Sequence, residues 1–297
     1  MSFSKLQEIT EAVVREKKPF WKIILEDDMR ERNVPQEESF ATMRSMYQAM
    51  KQADESYDPS LRSASGMAGG DGEKLERFRQ QKNRLIGDFL TEVMEKSVKM
   101  AESNACMKRI VAAPTAGSCG IIPAVLLTYE KQKNAEEDRM VEALYTAAGI
   151  GTVIAASASI SGAEGGCQAE IGSASAMAAG AVTHLEGGTA EEIVHAAALA
   201  LKNMLGLTCD PVAGLVEVPC IKRNVSGAVN AVISSQMAMA GIRSAIHPDE
   251  VIDSMRRIGR LLPECLRETS QEGLAITPTA QRVEKDLREK ARIQPAD

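Results

Sequence analysis

Three cysteines in the second half of the chain have unusual neighbours. Cys167 stands in Gly165-Gly166-Cys167-Gln168-Ala169-Glu170, Cys209 in Thr208-Cys209-Asp210-Pro211, and Cys220 in Val218-Pro219-Cys220-Ile221. Glycine or proline beside each predicts a loop, from which a thiolate can point at a shared object. Four thiolates close a structural zinc site or saturate an iron–sulfur cluster, so three leave one position open. An open iron is a Lewis acid that can coordinate a hydroxyl and make it a better leaving group. The gaps of 42 and 11 residues match no compact ligand motif. Buried cysteine also serves as a small hydrophobe, so residue type alone leaves both readings standing.

Other residues suited to chemistry lie around these thiols in sequence. Glu164 and Glu170 bracket Cys167, and either could act as a general base or as an acceptor supporting a ligand. Lys222-Arg223-Asn224 follows Cys220, either as a solvated basic turn or as a group that offsets negative charge or holds a carboxylate. Upstream, Ser63-Ala-Ser-Gly-Met-Ala-Gly-Gly-Asp-Gly72 is a glycine-rich stretch whose backbone N–H groups suit an anion, with Asp71 placed to cap the helix after it. In Pro114-Thr-Ala-Gly-Ser-Cys-Gly120, Thr115 and Ser118 precede a helix with Pro123 in its first turn, so they are either N-capping groups or carboxylate binders. His184 and His195 fall on alanine-rich helices and are given no catalytic role.

The wording of these stretches, from Ser65-Gly-Met-Ala-Gly-Gly-Asp-Gly72 through Ala113-Pro-Thr-Ala-Gly-Ser-Cys-Gly-Ile-Ile-Pro123 and Gly162-Ala-Glu-Gly-Gly-Cys-Gln-Ala-Glu-Ile-Gly-Ser-Ala174 to Cys209-Asp-Pro-Val-Ala-Gly-Leu-Val-Glu-Val-Pro-Cys220, resembles the iron–sulfur L-serine dehydratases, specifically their alpha chain. The resemblance runs from about residue 63 to residue 279. It implies a [4Fe–4S] cluster on Cys167, Cys209 and Cys220, and deamination of L-serine to pyruvate and ammonium. Ser65, Gly66, Asp71, Thr115, Gly117, Ser118 and Asn224 become the expected substrate-binding residues. Ala116-Gly117 looks like the two-chain type, since single-chain relatives tend to have Asn-Gly there. A beta chain carrying regulatory and substrate-binding domains is then the expected partner. Some single-chain relatives end in a cysteine, whereas this sequence ends Ile293-Gln-Pro-Ala-Asp297. Cys119 could approach the cluster, while Cys106 and Cys265 read as packing.

The elements that must position these groups are predicted to be helices throughout. Of 297 residues, 44% are hydrophobic but only 3% aromatic, a core of small side chains that suits closely packed helices. Helices are expected over 1–19 with Leu6, Ile9, Val13 and Val14 on one face, over 35–55, over 73–105, after Pro123, and three between 136 and 205. Further ones follow over 226–245 and 249–260, then a charged peripheral tail over 280–297. No alternating β-branched run is long enough for a sheet core. The fold class is therefore all-α, a single domain over 1–297 with a glycine- and serine-rich active-site loop at 54–72. Residues 143–163 carry no charge; their Ala, Gly, Ser and Thr content predicts a buried central helix rather than a membrane span.

Thirty-five basic against 41 acidic residues, spread evenly, give no stripe for a nucleic-acid backbone. The N-terminus lacks an apolar export segment, and six cysteines are too few for a disulfide framework, so a reducing cytoplasm is expected. Three rival functions remain: pyridoxal phosphate catalysis of the same reaction, desulfuration of cysteine at an open iron, and a zinc-stabilised interaction subunit without activity. The pyridoxal rival requires a substantial sheet, for which strand signals are missing.

Overall fold

The computed structural model describes residues 2–82 and 84–293; Met1, Asn83 and the last four positions of the expected tail lie outside the described residues. Thirteen α-helices occur among the described residues, and the chain is all-α. An isolated bridge between Cys209 and Arg267 is the one β-type pairing found there.

The centre is occupied by α9 (Ser173–Leu185), in which every residue except His184 is buried. Its Ser, Ala and Gly side chains let neighbouring helices approach closely. α7 (Glu137–Ser157), α10 (Ala190–Lys202) and α11 (Cys220–Met239) pack around it. The α7 contact interlocks: a Cβ at Gly180 would lie 2.2 Å from Ile150 Cδ1, and one at Gly151 2.7 Å from Met177 Cε. Each glycine thus receives the other helix's large side chain. Of the buried central helix expected at 143–163, α7 supplies residues 143–157 and ends at Ser157, while α9 is the most enclosed helix. Two-thirds (67%) of the apolar window of α7, a helix long and apolar enough to cross a membrane, is buried inside the protein.

α1 (Leu6–Glu16), α2 (Phe20–Arg32) and α3 (Gln36–Glu55) cover one side of this core. The first expected helix is shorter than predicted, and Val14 is 76% exposed because Ala12 takes the buried face with Leu6 and Ile9. Pro19 caps the start of α2, which the sequence reading left unassigned. The single helix expected over 73–105 is two, α4 (Asp71–Arg79) and α5 (Asp88–Ala105). Ion pairs fold α4 back along α5: Arg79 Nε donates to Glu95 at 2.6 Å and Lys99 Nζ to Glu76 at 2.9 Å.

The remaining elements are α6 (Ile121–Lys133), the single turn α8 (Gly162–Gly165), α12 (Pro248–Leu261) and the exposed α13 (Pro278–Ile293). α11 begins at Cys220, six residues before the start expected from sequence.

Candidate functional site

Two of the three cysteines are not in loops. Cys167 opens the helical path that runs through a π turn, Gln168–Gly172, into α9, and Cys220 is the first residue of α11. The glycines and proline around them mark helix starts, where the partial positive charge of exposed N–H groups favours a thiolate. Gly166 has φ +74, and a Cβ there would strike Leu207 O at 2.9 Å, so the chain reaches Cys167 through a turn that requires glycine. Cys209 lies on an extended segment paired with residues 266–268. Its N–H donates to Leu266 O at 2.9 Å, and the Glu268 N–H donates to Cys209 O at 2.8 Å.

All three thiols are buried. The Cys209 thiol hydrogen-bonds to Cys167, which lowers the Cys167 pKa and makes it the readier of the pair to ionise. The same bond, reinforced by burial, pushes Cys209 upward. Cys220 is pushed up to about 12, first by burial and then by the charges of Cys167 and Glu170. Arg223 hydrogen-bonds to Cys167, donates to Thr208 O at 2.7 Å, and pairs with Asp210 at 3.0 Å. One guanidinium therefore ties the Cys209 segment to α11 and offsets negative charge at the thiols.

Glu170 is the carboxylate that joins them. A Cβ on Gly162 would meet Glu170 Oε2 at 2.9 Å, Cys209 Sγ at 3.1 Å and Glu268 Oε2 at 3.1 Å. Burial pushes the Glu170 carboxyl above its usual range; a hydrogen bond with the Thr115 side chain partly opposes this, and the charge of Glu268 adds to it. Gly117 borders the same carboxylate, 3.1 Å from Oε1 to a would-be Cβ. Glu164, the other carboxylate singled out by sequence, is exposed and lines a separate cleft with Arg256 and Arg260.

The remaining expected substrate residues divide. Ser118 is buried and its hydroxyl lies 3.1 Å from Thr115 Oγ1, so the pair braces its own loop. Asn224 accepts from Gly120 N–H at 2.8 Å and donates to Gly117 O and Cys220 O at 2.7 and 2.9 Å, which turns it inward as the clamp between that loop and α11. Ser65 and Ser63 donate to Glu217, a buried carboxylate three residues before Cys220. Gly66 has φ +79 and open space beside it. Asp71 does not cap α4, for which Gly70 is the capping residue; it pairs instead with Lys222 and Lys74. The anion expected on this loop's backbone is supplied internally, since the buried Glu102 carboxylate accepts from Gly69, Asp71 and Gly72 N–H groups and from Tyr57 OH.

Sequence reading missed Glu102, Glu217 and Glu268, because no local motif announces a partner 30 to 150 residues away. His195 Nδ1 accepts from Ser244 N–H at 3.2 Å, and His184 is pushed down to about 4 by burial, so both histidines have structural surroundings. Cys119 is also fully buried and pushed up to about 12 by that burial.

No three described His, Cys, Asp or Glu side chains converge as ligands of a single metal ion. A cluster makes a different demand, since it spreads its thiolates over separate irons. Three buried thiols, Cys167 hydrogen-bonded to Cys209 and Cys220 under the charge of Cys167, with the Arg223 guanidinium beside Cys167, have the donor chemistry for that.

The model of the serine dehydratase alpha chain family matches residues 15–275, and the chain belongs to this family. It is 44% identical to the probable L-serine dehydratase alpha chain of Bacillus subtilis (strain 168), over 96% of this chain and 95% of that one. It is 39% identical to the L-serine dehydratase alpha chain of Peptoniphilus asaccharolyticus, over 89% and 91%. In the L-serine dehydratase of Helicobacter pylori (strain ATCC 700392 / 26695), at 36% identity, the match covers 93% of this chain but 62% of that protein.

Proposed function

We propose that this chain is the cluster-bearing alpha chain of an iron–sulfur L-serine dehydratase, which converts L-serine to pyruvate and ammonium. The observation that carries the reading is that buried Cys167 hydrogen-bonds to Cys209, that Cys209 and Glu170 meet beside Gly162, and that buried Cys220 feels the charges of Cys167 and Glu170, in a member of this family. A [4Fe–4S] cluster held by the three cysteines would supply an iron with an open position, a Lewis acid for the substrate hydroxyl. The chain's own residues do the rest. We assign removal of the α-proton to Glu170, which burial makes more basic and which the Thr115 side chain hydrogen-bonds. Arg223 balances charge at the thiols, while Asn224 fixes the 115–120 loop that borders Glu170. Loss of the proton and of water leaves an aminoacrylate, which tautomerises and hydrolyses to the keto acid and ammonia.

The longer relative supports a beta chain as partner, because a single chain there includes more than the region matched here. All six cysteines are unpaired, which favours a reducing cytoplasm. Anaerobic purification with and without a candidate beta chain, followed by iron and sulfide analysis and a pyruvate assay, tests the proposal. Iron, sulfide and pyruvate from L-serine are expected; zinc without sulfide, or turnover of cysteine in preference to serine, rejects it.

A further inference from the structure

The carboxylate of Glu268 reaches Gly162, beside Glu170 and Cys209, from a segment far along the chain, and no local motif accounts for it. Residues 262–277 return from α12 and strap the Cys209 segment. Besides the pairing of Cys209 with Leu266 and Glu268, Ser270 Oγ donates to Pro211 O at 2.7 Å and Leu274 N–H donates to Asp210 Oδ2 at 2.9 Å. Within this strap Glu268 has φ 63 and Ser270 φ 55, left-handed conformations that residues other than glycine seldom adopt. A long side chain held there by a four-point strap is aimed by the backbone. It brings Glu268 Oε2 to Gly162, opposite Glu170 Oε2 and Cys209 Sγ. Among the described residues no Lys or Arg pairs with either carboxylate, the nearby Arg223 being engaged by Asp210 and Cys167. Glu268 is also solvent-exposed while the thiols are buried, so its carboxylate lies on the solvent side of Cys209 and Glu170.

We propose that Glu268 is the anchor for the substrate's α-ammonium, and so the residue by which the pocket selects an amino acid over the corresponding hydroxy acid. This rests on the serine dehydratase reading. Zwitterionic L-serine presents one cation, one carboxylate and one hydroxyl. A rim carboxylate without a protein cation satisfies the first, with Glu170 left free for the proton.

The test compares wild type, Glu268→Gln and Glu268→Asp as anaerobically prepared holoenzyme with its partner chain. The readouts are iron and sulfide content, kcat and KM for L-serine, and inhibition by 3-hydroxypropanoate, which keeps the carboxylate and hydroxyl but has no ammonium. In the Gln variant, KM for L-serine is expected to rise about 10- to 100-fold, the loss of one charge-assisted hydrogen bond. Iron, sulfide and inhibition by 3-hydroxypropanoate stay at wild-type levels, and the Asp variant recovers part of the loss. An unchanged KM, an equal weakening of substrate and analogue, or loss of iron from the Gln variant overturns the assignment. Wild-type protein without iron or serine turnover overturns the underlying function instead, so the two failures are distinct.

Discussion

Six cysteines of identical chemistry occupy different environments, and that difference decides what each substitution does. Cys167→Ser, Cys209→Ser or Cys220→Ser is expected to abolish iron, sulfide and activity together, since a serine oxygen is a poor substitute for a soft thiolate. Cys106→Ser and Cys265→Ser, both half-exposed, should retain all three. Iron and sulfide analysis of the five variants checks this, and a fully active Cys209→Ser protein rejects the ligand set. The carboxylates make a parallel pair. Glu170→Gln should lower kcat by about 100-fold or more with cluster retained, whereas Glu164→Gln should leave it unchanged, as steady-state kinetics on L-serine will show. Residue type was enough to nominate both carboxylates, but only the fold separates the one against the thiols from the one on the outer face.

The start of α11 shows what an element adds. Lys222, Arg223 and Asn224 are consecutive, yet helical rotation sends Lys222 outward to Asp71, Arg223 to Cys167 and Asp210, and Asn224 inward to Gly117 and Gly120. Read as a triplet in sequence, they seemed to share one task. Asn224→Ala leaves a buried N–H and a buried C=O unpaired and should cost about 2–4 kcal/mol. Denaturant unfolding measures that loss, and a raised KM for L-serine would report the loosened loop. Glu102→Gln acts at the start of α4. The amide can accept through one oxygen only, and its NH2 faces backbone donors, so a loss of about 2 kcal/mol is expected by the same measurement.

At the scale of the whole molecule, buried charge links stability to pH. Burial alone would push the Glu92 carboxyl up. Hydrogen bonds from Lys131 and Gln132, with the charge of Arg79, outweigh it and hold the carboxyl below its ordinary 4.5. Its contribution is therefore present above pH 4.5 and lost as pH falls through the lower folded value. Glu92→Gln should be less stable than wild type by about 2 kcal/mol at pH 7, with the gap closing below pH 4.5 in paired thermal melts. The all-α class was legible in composition and periodicity, because helical spacing is local. The division into α4 and α5 was not, since the ion pairs between them join residues far apart in sequence, and neither was the return of residues 262–277 onto the Cys209 segment. That return orders events in biosynthesis. Translation delivers Cys209 first and Leu266 and Glu268 afterwards, so a nascent polypeptide leaves the Cys209 backbone unstrapped until the last stretch emerges and latches down. A transcript cut short before codon 266 would yield a protein in which Cys209 never acquires this pairing.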